Sequence, residues 1–179
     1  MPSYNRQLSK QCHIGASTAL DLKDFHHFAS MDTPKAFLFT SKNERLLSWL
    51  LHTPWNMTTR YSTTAASGEK DTGIENMTVD GMEVLVSAPE RAFMECLLLA
   101  PADYSFMNSF YIMEMLTTLR PKMVQPLLEN CSSVKVKRMF LYMAEKAGHQ
   151  WFKALNLEND ECFAIHGGTA INLFLKDLL

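Results

Sequence analysis

The chain has 179 residues, 47% of them hydrophobic and 20% charged, a balance that suits a folded core and excludes a disordered tail. Its net charge of −2 excludes a globally basic protein, so any contact with nucleic acid must be local. No apolar run approaches the roughly 18 residues that span a bilayer, and the N-terminus MPSYNRQLSKQCH is polar, unlike a signal peptide; a cytoplasmic protein with no membrane partner is expected.

Residues 12–30 open with a short apolar run and a glycine, after which Ser17 or Thr18 is placed to cap a helix carrying Ala19, Leu20, Leu22 and Phe25. KAFLFTS (35–41) reads as a buried strand, and Ser41 as the cap of a helix over NERLLSWLLHT with Leu46, Leu47, Leu50 and Leu51 on one face. NMTTRYSTTA (56–65), rich in Thr and Tyr, suits a strand; ASGEKDTG (66–73) has loop composition. IENMTV and MEVLVSA flank Asp80-Gly81, the favoured two-residue turn, and predict a hairpin. Ser87 then stands as a cap before Pro89 and Glu90, opening a helix over PERAFMECLLLA that ends at Pro101.

From residue 104 the pattern turns helical. SFMNSFYIMEMLTTL reads as one helix stopped before Pro121, and PKMVQPLLENC as one or two short turns around Pro126. SSVKVKRMFLYMAEKAG has serine caps, places Val136, Met139, Phe140 and Met143 on one face and closes at Gly148; HQWFKAL adds Trp151, Phe152 and Leu155. Strands crowd the first half and helices the second. The expected class is α+β, a mixed β-sheet in the N-terminal half with a helical C-terminal half.

Cys12, Cys96, Cys131 and Cys162 are widely spaced and form no CxxC, and the pairs Cys12-His13 and His26-His27 lack a second pair at zinc-ligand spacing. They read as single buried thiols and surface histidines, with no metal and no cofactor. Nucleophile elbow, P-loop and dinucleotide fingerprints are all missing, and Glu158, Asp160 and Glu161 read as solvated charge. The basic cluster is more informative. Lys135 and Arg138 are three apart and share a helix face, Lys137 lies to the side, and Arg120 and Lys122 come a little earlier. Such a set suits phosphates, and cations in a helix's first turn oppose its dipole, which favours an external partner. Arg91, in the second turn of its helix, reads as paired with an acid inside the fold, with contact to a partner as the alternative. The twelve methionines are spaced as helix-core residues. HIGASTALDL (13–22) and IHGGTAINLF (165–174) echo one another, as any glycine turn feeding a capped apolar helix would.

Three of these stretches, VLVSAPERAFMECLLL, LRPKMVQPLLENCSSVKVKRMFLYMAEKAGHQWFKAL and upstream HIGASTALDL, together resemble the AbiEi family of antitoxins from bacterial type IV toxin–antitoxin systems, which serve phage resistance by abortive infection. The resemblance covers about residues 12–157. It implies the C-terminal antitoxin domain of a regulator that neutralises a nucleotidyltransferase toxin, generally without a stable complex, and represses its own operon. Family members usually carry an N-terminal winged helix that binds the promoter. Only about a dozen residues precede HIGASTAL here, so the winged helix is expected to be absent and promoter DNA to be held more weakly.

Where the family continues into a GxGKR segment, this chain has NLENDECFAIHGGTAINLFLKDLL, which resembles the start of the partner AbiEii-type nucleotidyltransferase toxin, a strand running into GGTAxNL. In such enzymes the glycine pair seats the nucleotide phosphates and a later Asp-x-Asp holds the metals. By that likeness Gly167, Gly168 and Thr169 form a vestigial nucleotide-binding turn. Only Asp177 follows, so no two-metal centre and no catalysis is expected. The expected division is an antitoxin-like domain over 1–157 and a tail over 158–179, in which ECFAI substitutes for a strand and INLFLKDLL packs as a short helix. Two alternatives stay open: a toxin fragment acting through Gly167, Gly168 and Asp177, and a non-catalytic interaction module.

Overall fold

The computed structural model describes residues 12–25, 35–40, 58–63 and 72–157, with backbone alone for 58–63. Five strands form one mixed sheet: β1 (Cys12–Ile14), β2 (Lys35–Thr40), β3 (Thr58–Thr63), β4 (Ile74–Val79) and β5 (Met82–Ser87), in the order β3-β2-β1-β5-β4. β1 runs antiparallel to β2 and parallel to β5, β2 and β3 are parallel, and β4 and β5 are antiparallel. The hairpin forms as its turn chemistry requires. Asp80 (φ 49°) and Gly81 (φ 76°) both take positive φ, the signature of the primed turn that matches strand twist.

The helices are α1 (Ala16–Asp21), α2 (Pro89–Leu99), α3 (Phe106–Met115), α4 (Pro121–Asn130) and α5 (Val134–Ala147), followed by a 3-10 turn, Gln150–Ala154. α2 is the centre of the helical layer, packing on α1, α3, α4 and α5. Its sequence suits this position: Ala92, Phe93, Met94, Cys96 and Leu97 spread apolar side chains round the helix, so the charged residues among them must find partners in the core. Residues 90–97 are all buried, the charged Glu90, Arg91 and Glu95 among them. Phe93 meets Phe140 of α5, which meets Trp151, so one aromatic row crosses the core.

Several local expectations hold in detail. Ser133 caps α5 by accepting from the Val136 N–H (3.4 Å), and Gly148 closes it in the left-handed conformation (φ 70°). Val136, Met139, Phe140 and Met143 form its buried face. The expected helix over 43–53 with its cap Ser41, the acidic cluster and the whole tail, including Gly167, Gly168 and Thr169, lie outside the described residues.

Four local expectations are corrected. The helix expected over 105–119 ends at Met115, because Leu116 and Leu119 turn into the core instead of continuing the spiral. Its late carbonyls are answered from the 3-10 segment, where His149 Nε2 donates to Met113 (2.7 Å) and Trp151 Nε1 to Leu116 (2.8 Å). Residues 121–130 form a single helix through Pro126, since Val124, Leu127 and Leu128 bury fully against the core and outweigh the missing N–H. Neither Ser17 nor Thr18 caps α1. Thr18 Oγ1 instead donates to the Lys35 carbonyl (3.1 Å) and accepts from the Phe37 N–H (3.0 Å), pinning α1 to β2. Nor does Ser87 cap α2, whose N-cap is Ala88; the serine faces inward, toward Glu95.

Candidate functional site

Three charged systems surround α2, and each is built by a different part of the chain. The first is internal. β1 and β5 run side by side with Ile14 beside Val86, so His13 in the middle of one strand and Ser87 at the end of the other both reach Glu95 of α2. There Arg91 and Glu95, one helical turn apart, form an ion pair at 3.0 Å with both side chains essentially inaccessible. Glu95 Oε1 accepts from His13 Nε2 (2.8 Å) and Arg91 Nε (3.0 Å), while Oε2 accepts from Ser87 Oγ (2.9 Å) and the backbone N–H of Ala16 (3.1 Å). Four donors saturate the carboxylate. Arg91 Nη1 also donates to the Thr72 carbonyl (2.8 Å), so strand, turn and helix meet at one group.

Burial pushes the Glu95 carboxyl up, but the charges and hydrogen bonds of His13 and Arg91 outweigh it and hold the group below the ordinary carboxylate range. His13, 3% exposed, is thus a core residue rather than the surface histidine expected, and its ring stacks on Phe39. Ser87 turns its hydroxyl to the acid and not to the imidazole, and no member of the set meets solvent. The arrangement fixes geometry; it offers no substrate a nucleophile.

The second system lies at the surface beside the start of α2. Arg120, the N-cap residue of α4, donates from Nε and Nη2 to the buried carboxylate of Glu90 (3.0 Å each) and from Nη2 to Glu75 (3.0 Å). Its backbone N–H also reaches Glu90 (2.9 Å). Glu75 in turn pairs with Lys23, on the turn after α1. The side-chain hydrogen bond from Lys23 is the larger of the influences holding the Glu75 carboxyl below its usual range; burial opposes it and Arg120 adds to it. These residues line an open cleft of about 260 Å³ together with Phe25, Pro89, Thr118 and Leu119.

The third system is the basic helix start. Lys135 sends its ammonium to the carbonyl of Ala100, the C-cap of α2, where a cation complements the helix's negative end. Burial there pushes its pKa down. This resolves the apparent conflict of a cation in the first turn of α5: the charge serves the neighbouring helix. Lys137 and Arg138 are half-buried, and among the described residues no ion pair or side-chain hydrogen bond engages either; Lys122 is exposed. Arg120 and Lys135 therefore sit at opposite ends of α2, about 15 Å apart along its axis by the helical rise. The five cations do not meet at one point.

Cys12, Cys96 and Cys131 are buried, no disulfide joins them to one another, and burial raises the Cys96 thiol well above its ordinary value. Among the described residues no group of three His, Cys, Asp or Glu side chains is placed to hold a metal ion, and no helix is long and apolar enough to cross a membrane. His13, Gly15, Ser87 and Glu95 went unrecognised as one unit in the sequence. The signal available was Glu95 itself, a carboxylate with Phe93, Met94, Cys96 and Leu97 around it, which must be paired to be tolerated.

Comparison with known proteins places this architecture. No curated protein matches the chain. The sequence profile of the family described as "Transcriptional regulator, AbiEi antitoxin, Type IV TA system" matches residues 33–164, a span that takes in β2 to β5, the central helix and the basic helix. The chain belongs to the AbiEi antitoxin family.

Proposed function

We propose that the chain is a non-enzymatic antitoxin and autoregulator that counteracts a nucleotidyltransferase toxin in the bacterial cytoplasm. The family match over residues 33–164 carries this reading. Co-expression with such a toxin tests it: growth is expected to be rescued, and persistent toxicity with soluble protein present overturns it.

On this reading Lys135, Lys137, Arg138, Arg120 and Lys122 are the phosphate-contacting side chains for DNA of the chain's own operon. Lys122, Lys137 and Arg138 are the more available, since Lys135 and Arg120 also serve the fold. Replacing Lys135, Lys137 and Arg138 together with Ala is expected to weaken DNA retention in a gel-shift titration. It should also flatten the salt dependence by about one unit of log–log slope per contact removed. Unchanged retention removes the assignment. The domain reading follows the same proposal: an antitoxin-like unit over 1–157, and in 158–179 a non-catalytic remnant of a toxin's nucleotide turn at Gly167, Gly168 and Thr169.

A further inference from the structure

Lys23 and Arg120 are far apart in the chain, yet both close on the same carboxylate, that of Glu75. Glu90, 2% exposed, fixes the guanidinium from behind through Nε and Nη2 and cannot leave without unfolding its surroundings. Glu75 differs. It stands on β4, at the end of the strand order, with its side chain 35% exposed. Arg120 Nη1 and the Thr118 hydroxyl, both at the cleft, have no hydrogen-bond partner among the described residues, and the Lys23 ammonium has donors to spare.

We propose that this cleft is a phosphate-binding site whose seat is occupied in the free protein by the Glu75 carboxylate. An ammonium and a fixed guanidinium converging on one oxyanion is the arrangement by which Lys and Arg hold phosphate. With Glu75 seated, two cations balance two acids and the cleft is neutral; with Glu75 turned out it is cationic and carries unused donors. A phosphate group, of nucleic-acid backbone or free in solution, replaces one oxyanion by another. The inference rests on the assignment of Arg120 as a phosphate-contacting residue and supplies its partner, Lys23, and its gate.

Calorimetric titration of the whole chain with inorganic phosphate at fixed low ionic strength tests it. Glu75→Gln is expected to bind about tenfold more tightly than the unsubstituted protein, the effect of removing one nearby like charge at a partly exposed site. Adding Lys23→Ala should abolish the gain. Glu114→Gln, the same charge change at an exposed position of α3, should show none. The site is overturned by no gain in Glu75→Gln, by an equal gain in Glu114→Gln, or by a gain that survives Lys23→Ala. In the unsubstituted protein, saturating phosphate is expected to shift the Arg120 Nε–H resonance; an unmoved resonance at saturation also overturns it. A short DNA duplex that competes with phosphate identifies nucleic acid as the source, and one that does not identifies free phosphate; both retain the site. The titration uses no toxin, so its failure and a failed growth rescue are separate results.

Discussion

Glu95→Ala is expected to lower folding stability by about 3–5 kcal/mol, the penalty for leaving one member of a buried ion pair without the other. The change strands His13 Nε2, Arg91 Nε, Ser87 Oγ and the Ala16 N–H together, all in a site closed to water. Urea unfolding should show a lower midpoint at unchanged slope. A loss under about 1 kcal/mol, the range of an exposed pair, would show that Glu95 does not organise the core. Exchanging both partners for methionine, Arg91→Met with Glu95→Met, should cost less than Glu95→Ala alone, because the buried guanidinium is removed together with its acid. Acid gives a second reading. A carboxyl held below its ordinary range contributes stability that is complete above its unfolded value, about 4.3, and is lost as pH falls through the folded value. The unsubstituted protein should therefore lose stability on acidification below about pH 4, with a flatter profile in Glu95→Ala.

The parts of the fold that were legible in the sequence are those set by local chemistry. Asp80-Gly81 makes its primed turn, Ser133 and Gly148 bracket α5, and Pro89 opens α2, because each rule acts within a few residues. The failures share a cause as well. Ser17, Thr18 and Ser87 carry cap chemistry, but tertiary partners outbid the local use: Thr18 takes the backbone of β2, and Ser87 takes Glu95. Leu116 and Leu119 continue a helical pattern but gain more by entering the core than by extending α3. For Arg91 an acid inside the fold was one of the expected partners, but Glu95 was not singled out; the i,i+4 pairing is what the structure shows. The basic residues were legible as charges but not as places. That Lys135 answers the C-terminal end of α2, and Arg120 an acid at its start, depends on how α4 and α5 dock.

This division bears on function. The buried network joins β1, β5, the turn at Thr72-Gly73 and α2, the same helix whose two ends hold Arg120 and Lys135. Surface cations that act on phosphates must be held in fixed positions to act together. On the proposed reading of Arg120 and Lys135 as phosphate contacts, α2 is their common support, and Glu95 ties that helix to His13, Ala16 and Ser87 beneath it. Damage to the network is therefore expected to reach the surface without touching a surface residue.

Gly15→Ala is the sharpest form of that expectation, with an expected loss of about 3 kcal/mol, at the upper end of what overpacking a core costs. Conformation is not the reason, for Gly15 sits in extended backbone (φ −135°) that alanine adopts freely. Space is. A Cβ there would lie 2.2 Å from Glu95 Oε2 and 2.5 Å from the Phe39 ring. Neither neighbour can yield cheaply: the carboxylate is held by four donors, and the ring is 1% exposed and stacked on His13. The next residue is already under strain. Ala16 has φ 48°, a conformation costly for a residue with a Cβ, and its N–H on Glu95 Oε2 holds it there. Pushing the carboxylate away would release that turn and with it the start of α1. Thermal melting should show a large fall for Gly15→Ala and little change for Ala16→Gly, which removes strain while keeping the N–H. Equal losses in the two variants would mean that the turn, and not the room beside Glu95, is what position 15 protects.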